Sequence, residues 1–123
     1  MEKNIGKIMW HDLTVENAEA VSEFYKAVVG WEKEPLSMGT YDDYVMKVPG
    51  SEDATGVCHA RGGNAYLPPQ WLLHVVVENL DASLEQCKQM EGKVIGEKKK
   101  MGDHGTYCLI QDPAGAYMVL WEK

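Results

Sequence analysis

The sequence lacks the features that mark several large classes of protein. Its 123 residues contain no apolar run near the ~18 residues that a membrane-spanning helix requires, and residues 1–6 lack the apolar stretch of a secretory signal. The 12 Lys and Arg residues are outnumbered by 19 Asp and Glu, which gives a net charge of −7, whereas domains that bind nucleic acid carry a basic face. These absences predict no membrane partner, no nucleic-acid partner and a cytoplasmic location.

Cysteine is scarce, and the number and spacing of the cysteines argue against a zinc site and against a disulfide framework. Only Cys58, Cys87 and Cys108 occur. No pair has the CxxC spacing of a zinc site, and the odd number does not suit a disulfide framework. We interpret all three as reduced thiols in a cytosolic protein. A chain of this length can form a core without disulfide bonds or metal ions.

The chain contains an internal repeat. When it is shifted so that Val15 aligns with Val77, further residues coincide without a gap. The coincident pairs include Glu16 with Glu78, Asn17 with Asn79, Ala20 with Ala82, Glu23 with Glu85, Lys26 with Lys88 and Gly30 with Gly92. The shift predicts two copies of one supersecondary unit, at about 5–61 and 70–123, within a single domain that spans 1–123.

Each copy has the pattern of a strand, a helix and three further strands. The predicted strands are 8–15, 32–36, 43–48 and 54–60 in the first copy, and 71–77, 93–100, 105–111 and 116–122 in the second. Asn17 and Asn79 are placed to cap the two helices, and Gly30 and Gly92 are placed to end them. The segment 61–70, with its Gly and Pro residues, is predicted to link the copies.

Four motifs occur in order along the two copies. They are WHDLTV at 10–15, FYKAVVGW at 24–31, VENLDA at 77–82 and DPAGA at 112–116. Together with the repeat, these motifs resemble the vicinal oxygen chelate superfamily, which holds glyoxalase I, bleomycin-resistance proteins and extradiol dioxygenases. The resemblance implies an α+β fold in which two tandem βαβββ modules form a cupped, mixed eight-stranded sheet around a cavity. It also implies a homodimer.

The resemblance includes the fold of this family but not its usual metal ligands. In the metal-using members, His or Glu side chains on the first and last strands of each module hold the ion. Alignment on the family motifs gives four such positions: Trp10, Val57, Leu72 and Val119. None of these side chains is a metal ligand, so we expect no cofactor. The alternative is a divalent metal held by His11, His74 or Glu122, because a β-bulge would shift the alternation of a strand by one residue.

Strand alternation predicts which side chains face the cavity. The odd-numbered side chains of 73–77 are wholly apolar and are expected to pack on a helix, so that His74 faces the cavity. The repeat carries the same alternation to the first strand. There, Asp12 is the equivalent of His74, and His11 is expected on the helix side.

The predicted ligand site has apolar walls and a few polar groups. Its walls are Trp10, Tyr44, Met46, Tyr117, Val119 and Trp121. Its polar groups are Asp12, Thr14 and His74, with Asp12 and His74 as the candidate catalytic residues. These residues favour a small-molecule-binding protein of the family.

Two other functions remain open from the sequence. One is an enzyme, either a metal-dependent lyase or dioxygenase or a metal-free variant in which Asp12 and His74 act as acid and base. The purely structural role of that pair would be a buried Asp–His hydrogen bond. The other is a dimeric module whose cavity is vestigial.

Overall fold

The computed structural model describes residues 4–123. The chain divides into two compact units. The first module is His11–Trp71, and the second module is Leu72–Lys123 together with the residues up to Trp10. In the part of the chain that is described, no helix is long and apolar enough to cross a membrane.

The first module is built from one helix and strands on one side of it. Its elements are β1 (Ile8–Val15, which begins in the second module), α1 (Ala18–Val29), β2 (Glu32–Ser37), β3 (Asp42–Lys47) and β4 (Ala54–His59). The strands hydrogen bond in the order β2-β3-β4-β1, in which only the β1–β4 pair is parallel.

The second module repeats this arrangement. Its elements are β5 (Trp71–Val76), α2 (Leu80–Gln89), β6 (Lys93–Lys100), β7 (Thr106–Gln111) and β8 (Tyr117–Glu122). The strands follow the order β5-β8-β7-β6, again with one parallel pair, β5–β8. The predicted α+β class, with βαβββ twice and mixed strand pairing, is confirmed. The cupped shape and the cavity stay predictions.

Matching asparagines begin the two helices. The Asn17 side chain accepts the backbone N–H of Ala20 at 3.0 Å, and the Asn79 side chain accepts that of Ala82 at 2.9 Å. Each cap satisfies one of the N–H groups that a helix start leaves without a partner. Because the same cap meets the same partner in both copies, the repeat is confirmed at the helix starts.

The helices end differently, which corrects one prediction. Gly30 is left-handed, with φ of 91°, and ends α1 as expected. After α2 the left-handed residue is Glu91, with φ of 71°, and Gly92 follows it. Gly92 is needed for a close approach instead, since a Cβ atom there would lie 2.8 Å from Cys87 Sγ and 3.0 Å from the Gln111 carbonyl oxygen.

Each helix packs on one face of the strands in its own module. In the first module the buried cluster is Ala18, Tyr44, Met46 and Val57, with Val15 packed against it. In the second module the buried cluster is Leu80, Cys108 and Leu120, with Val75 and Val77 packed against it. The odd-numbered residues Val15, Val75 and Val77 therefore lie on the helix side, as the alternation predicted.

The close approach at Gly92 gives a stability prediction. Gly92→Ala should lower the free energy of unfolding by about 1–3 kcal/mol, the usual cost of overpacking, as measured by urea denaturation. Gly63→Ala is the matched control, because a Cβ atom at Gly63 meets nothing within 4 Å. It should change stability by less than about 0.5 kcal/mol. Equal stability of the two variants would contradict the packing seen at Gly92.

Candidate functional site

His74 is the central polar residue on the face of the second module that points away from α2. Its neighbour Val75 packs on the α2 side, so the His74 side chain leaves the opposite face of β5. In the adjacent strand, Val119 is paired with His74, and Trp121 with Val76. Paired residues share a face. The imidazole therefore lies on the same face as the predicted wall residues of β8.

The residues beside His74 on β5 and on its partner strand β8 are buried and apolar. His74 is only 3% exposed, and Leu72, Val76, Val119 and Trp121 are buried as well. Tyr117 is half-buried. The Nδ1 atom of His74 donates to the Leu72 carbonyl oxygen at 3.2 Å, because a carbonyl oxygen only accepts. In the neutral ring, Nε2 is then the acceptor nitrogen.

A tight loop fixes Trp121 on this face. The indole Nε1–H of Trp121 donates to the carbonyl oxygen of His104 at 2.7 Å. The loop returns at Gly105, whose φ of 116° and close approach to the backbone of Glu122 and Lys123 exclude a side chain. The side chain of His104 itself is exposed. The backbone of the loop therefore fixes the position of the Trp121 indole.

In the first module, Asp12 and Thr14 lie on the face opposite α1. Val15 packs on the α1 side, and alternation along β1 directs both polar side chains the other way. Asp12 is paired with Gly56 of β4 and Thr14 with Cys58. Both His74 and Asp12 lie on the first strand of a module, beside its parallel last strand. Asp12 thus has the position in its module that the repeat predicted. Trp10 also lies on β1 and is half-buried. Because it is two residues from Asp12, its side chain lies on the same face of the strand.

Two residues on the Asp12 face were missed by sequence reasoning: Asp43 and Cys58. Burial raises the pKa of the Cys58 thiol, and the carboxylates of Asp12 and Asp43 raise it further. The thiol also hydrogen bonds to Asp43, whose Oδ1 accepts the backbone N–H of His59 at 2.8 Å. Since the thiolate is the nucleophile, a thiol held protonated in this way is unreactive.

Tyr44 and Met46 occupy a different place from the one expected. Both lie in the buried cluster with Ala18 of α1. Tyr44 is paired with Val57, which belongs to the same cluster. They are part of the core on the helix side of β3, and packing against α1 accounts for their burial. We therefore remove both from the candidate ligand walls.

The residues proposed as alternative metal ligands have other partners. His11 Nδ1 lies 2.7 Å from the Thr55 hydroxyl, and Glu122 Oε1 accepts the backbone N–H of Leu80 at the start of α2, at 2.7 Å. Within residues 4–123, no three His, Cys, Asp or Glu side chains are grouped as a metal site. Of the residues aligned with the family ligands, Trp10, Leu72 and Val119 offer no donor atom for a divalent ion. Val57 lies in the helix-side cluster instead, on the opposite face of β4 from the expected ligand position. The side chains there do not fit the metal of the family.

A separate cavity of about 380 Å³ opens in the second module beside the start of α2. Its lining residues include Ile5, Val75, Val77, Asn79 and Ser83. None of the side chains predicted for the ligand site lines it. The cavity is therefore distinct from the face that carries His74.

The environment of Cys58 predicts how fast it is alkylated. Asp43→Asn and Asp12→Asn should each increase its rate of reaction with iodoacetamide at pH 8.5 several-fold. Removing a nearby negative charge lowers the thiol pKa and so raises the thiolate fraction at a fixed pH. Peptide mass spectrometry, with Cys87 as the internal reference, measures the rate. Asp42→Asn is the control, and an equal acceleration by this variant would contradict the assignment.

The chain matches known proteins along almost its whole length. A family model for the Glyoxalase/Bleomycin resistance protein/Dioxygenase superfamily matches residues 5–120. CFP32 of Mycobacterium bovis and of Mycobacterium tuberculosis, a provisionally named glyoxylase, is 27% identical over 119 residues, which cover 95% of this chain and 46% of CFP32. The chain therefore spans about half the length of these curated relatives.

Solved structures share the fold at low sequence identity. Methylmalonyl-CoA epimerase from Mycobacterium tuberculosis has a TM-score of 0.57 at 16% identity, covering 99% of this chain and 91% of the epimerase. A superfamily member from Vibrio splendidus 12B01 has a TM-score of 0.59 at 11% identity, covering 93% and 97%. A methylmalonyl-CoA epimerase in complex with methylmalonyl-CoA and NH4+ has a TM-score of 0.55 at 15% identity, covering 97% and 95%. With the family model matched over residues 5–120, the chain belongs to the glyoxalase/bleomycin resistance protein/dioxygenase superfamily.

Proposed function

We propose that this protein binds a small organic molecule on the face of the second module that carries His74, without the metal ligands usual in its family. One observation carries the proposal: a buried imidazole points away from the helix and lies among buried apolar side chains. Apolar walls with a few oriented polar groups are the usual composition of a ligand site. Its walls are Val119, Trp121 and the half-buried Tyr117.

The polar residues of the first module are proposed as further ligand contacts. Asp12 is the residue that the repeat aligns with His74. Thr14 and Trp10 lie on the same face of β1 as Asp12. The relatives support a small organic ligand, since one structural neighbour was solved with methylmalonyl-CoA and CFP32 is named as a glyoxylase, provisionally.

Catalysis is the second candidate function, and the orientation of His74 favours it. The hydrogen bond from Nδ1 to the Leu72 carbonyl orients the imidazole on this face, and an imidazole is the side chain that most often acts as a general acid or base. Asp12 would supply a carboxylate as the second group. The metal-dependent lyase or dioxygenase is the other alternative, and Trp10, Leu72 and Val119 at the family's ligand positions oppose it.

We also propose a cytoplasmic location, a homodimer and no nucleic-acid partner. The three cysteines are free thiols, which suits a reducing compartment. The net charge of −7 opposes binding to a phosphate backbone. Two-fold dimers are the commonest assembly of soluble chains.

Ligand binding should depend on His74 and not on His11. Isothermal titration with methylmalonyl-CoA and with bleomycin as the two probes should detect binding of at least one. His74→Gln should weaken it about tenfold or more, the cost of losing one hydrogen bond to a polar ligand group. His11→Ala is the matched control and should leave the affinity unchanged. Failure of both probes to bind, or an equal loss in the two variants, would refute the proposed site.

Metal content separates the proposed function from its metal-dependent alternative. Protein purified without a chelator should carry far less than one Zn, Ni, Mn or Fe ion per chain by elemental analysis. Adding each ion should leave the melting temperature unchanged, because the family's ligand positions have no donor atoms. A stoichiometric ion that disappears in His74→Ala would establish the metalloenzyme instead.

A further inference from the structure

The lysines at the end of β6 are divided between the two faces of the second module. Lys98 Nζ lies 2.6 Å from Asp81 Oδ1 on α2, so this side chain points to the helix. Because side chains alternate along a strand, the next residue, Lys99, points to the opposite face, which carries His74. Lys99 is half-buried there, whereas Lys98 and Lys100 are exposed.

Strand pairing assigns Lys99 to this face independently. Lys99 is paired with Tyr107 of β7, and Tyr107 is paired with Trp121 of β8. Paired residues share a face, and Trp121 lies on the face that carries His74. Tyr107 is also half-buried. An ammonium group and a phenol hydroxyl therefore come from neighbouring strands on the same face as the imidazole.

The charges near this face favour an anion. Among the described residues that are paired on it, none is Asp or Glu. The Glu122 side chain contacts the start of α2 instead, and Glu97 is exposed in the irregular stretch of β6. A second ammonium group is close by, since Lys123 Nζ lies 5.6 Å from the centre of the Trp121 ring. The charged group that suits this face is therefore a negative one.

The equivalent place in the first module holds an apolar residue. Asp43 of β3, like Tyr107 of β7, lies on the face away from its helix, and its partner on the edge strand β2 is Leu36. Leu36 therefore has the place that Lys99 has in the second module. Because the same fold accepts leucine there, folding alone does not account for the charge of Lys99.

We infer that the ligand of this face is an elongated organic anion whose carboxylate or phosphate group is bound by Lys99 and Tyr107. The inference rests on the proposed function and names the class of ligand. Neighbouring strands lie roughly 4.8 Å apart, so three such steps, about 14 Å, separate β5 from β6. A ligand that contacts both His74 and Lys99 is therefore an elongated molecule and not an inorganic ion.

The side chains between the two polar ends suit the body of such a ligand. Trp121 and Leu109, both buried, lie on the strands between His74 and Lys99 and share their face. At the anionic end, the ammonium group supplies charge and hydrogen-bond donors, and the phenol of Tyr107 supplies one more donor. Hydrogen bonds to an ionised group are about twice as strong as neutral ones.

Isothermal titration with an anionic and a cationic probe tests the inference. Lys99→Gln should raise the Kd of methylmalonyl-CoA about tenfold or more, the effect of losing a charge-assisted hydrogen bond. It should not weaken binding of the cationic probe bleomycin, which gains nothing from an ammonium group. Lys99→Arg, which keeps the charge, should restore most of the affinity for methylmalonyl-CoA. Melting curves check that each variant is folded.

Lys100→Gln is the matched control, because it makes the same change in net charge on the other face. Lys100 is paired with Thr106, and Thr106 with Glu122, whose side chain contacts α2. The Kd of methylmalonyl-CoA should change less than about twofold in this variant, as expected for an exposed charge without a direct contact.

Propionyl-CoA, which has the phosphates of methylmalonyl-CoA but not its carboxylate, identifies the anionic group. If Lys99 binds the carboxylate, propionyl-CoA should bind more weakly than methylmalonyl-CoA, and Lys99→Gln should not weaken it further. If Lys99 binds a phosphate, the two probes should bind alike and lose affinity equally.

Three results would overturn the inference. Equal effects of Lys99→Gln and Lys100→Gln would exclude a direct contact at Lys99, and binding of bleomycin but not of methylmalonyl-CoA would exclude an anionic ligand. Either result leaves the proposed site intact if His74→Gln still weakens binding. Failure of the wild-type protein to bind any probe would overturn the proposed site together with the inference.

Discussion

The rest of the structure depends on one constraint: each helix covers a single face of the strands in its module. Burying one aliphatic side chain contributes roughly 1.5–3 kcal/mol, and each helix buries several against its strands. Since side chains alternate along a strand, the packing of Val15 and Val75 also fixes the direction of their polar neighbours. His74 and Asp12 face away from the helices because apolar packing leaves them no other direction.

Signals that lie close together in the sequence predicted the order of strands and helices, and the family resemblance predicted the sheet that the strands form. An apolar strand, an asparagine cap and a helix occur twice in the same order, and the structure has the same cap in both copies. The directions of Val75 and Val77 were also predictable, because every odd-numbered side chain of that segment is apolar. Each of these features is decided by a residue and its near neighbours, so the sequence pattern alone predicts it.

Features that depend on distant residues were not predictable. The strand that holds Tyr44 and Met46 has apolar side chains on both faces, so its own pattern does not show which face meets α1. Pairing with Val57 across the sheet decides it. The contact of Asp43 with Cys58 likewise depends on strand register. Gly92 was expected to end a helix through its backbone freedom, whereas in the structure a Cβ atom there would approach both the nearby Cys87 and the distant Gln111.

The repeat also shows where the two modules have diverged, and the divergence bears on function. One position holds a carboxylate, Asp12, in the first module and an imidazole, His74, in the second. These groups differ in charge and in their capacity to donate hydrogen bonds at neutral pH. A ligand bound at this position would therefore meet a chemically different group in each module.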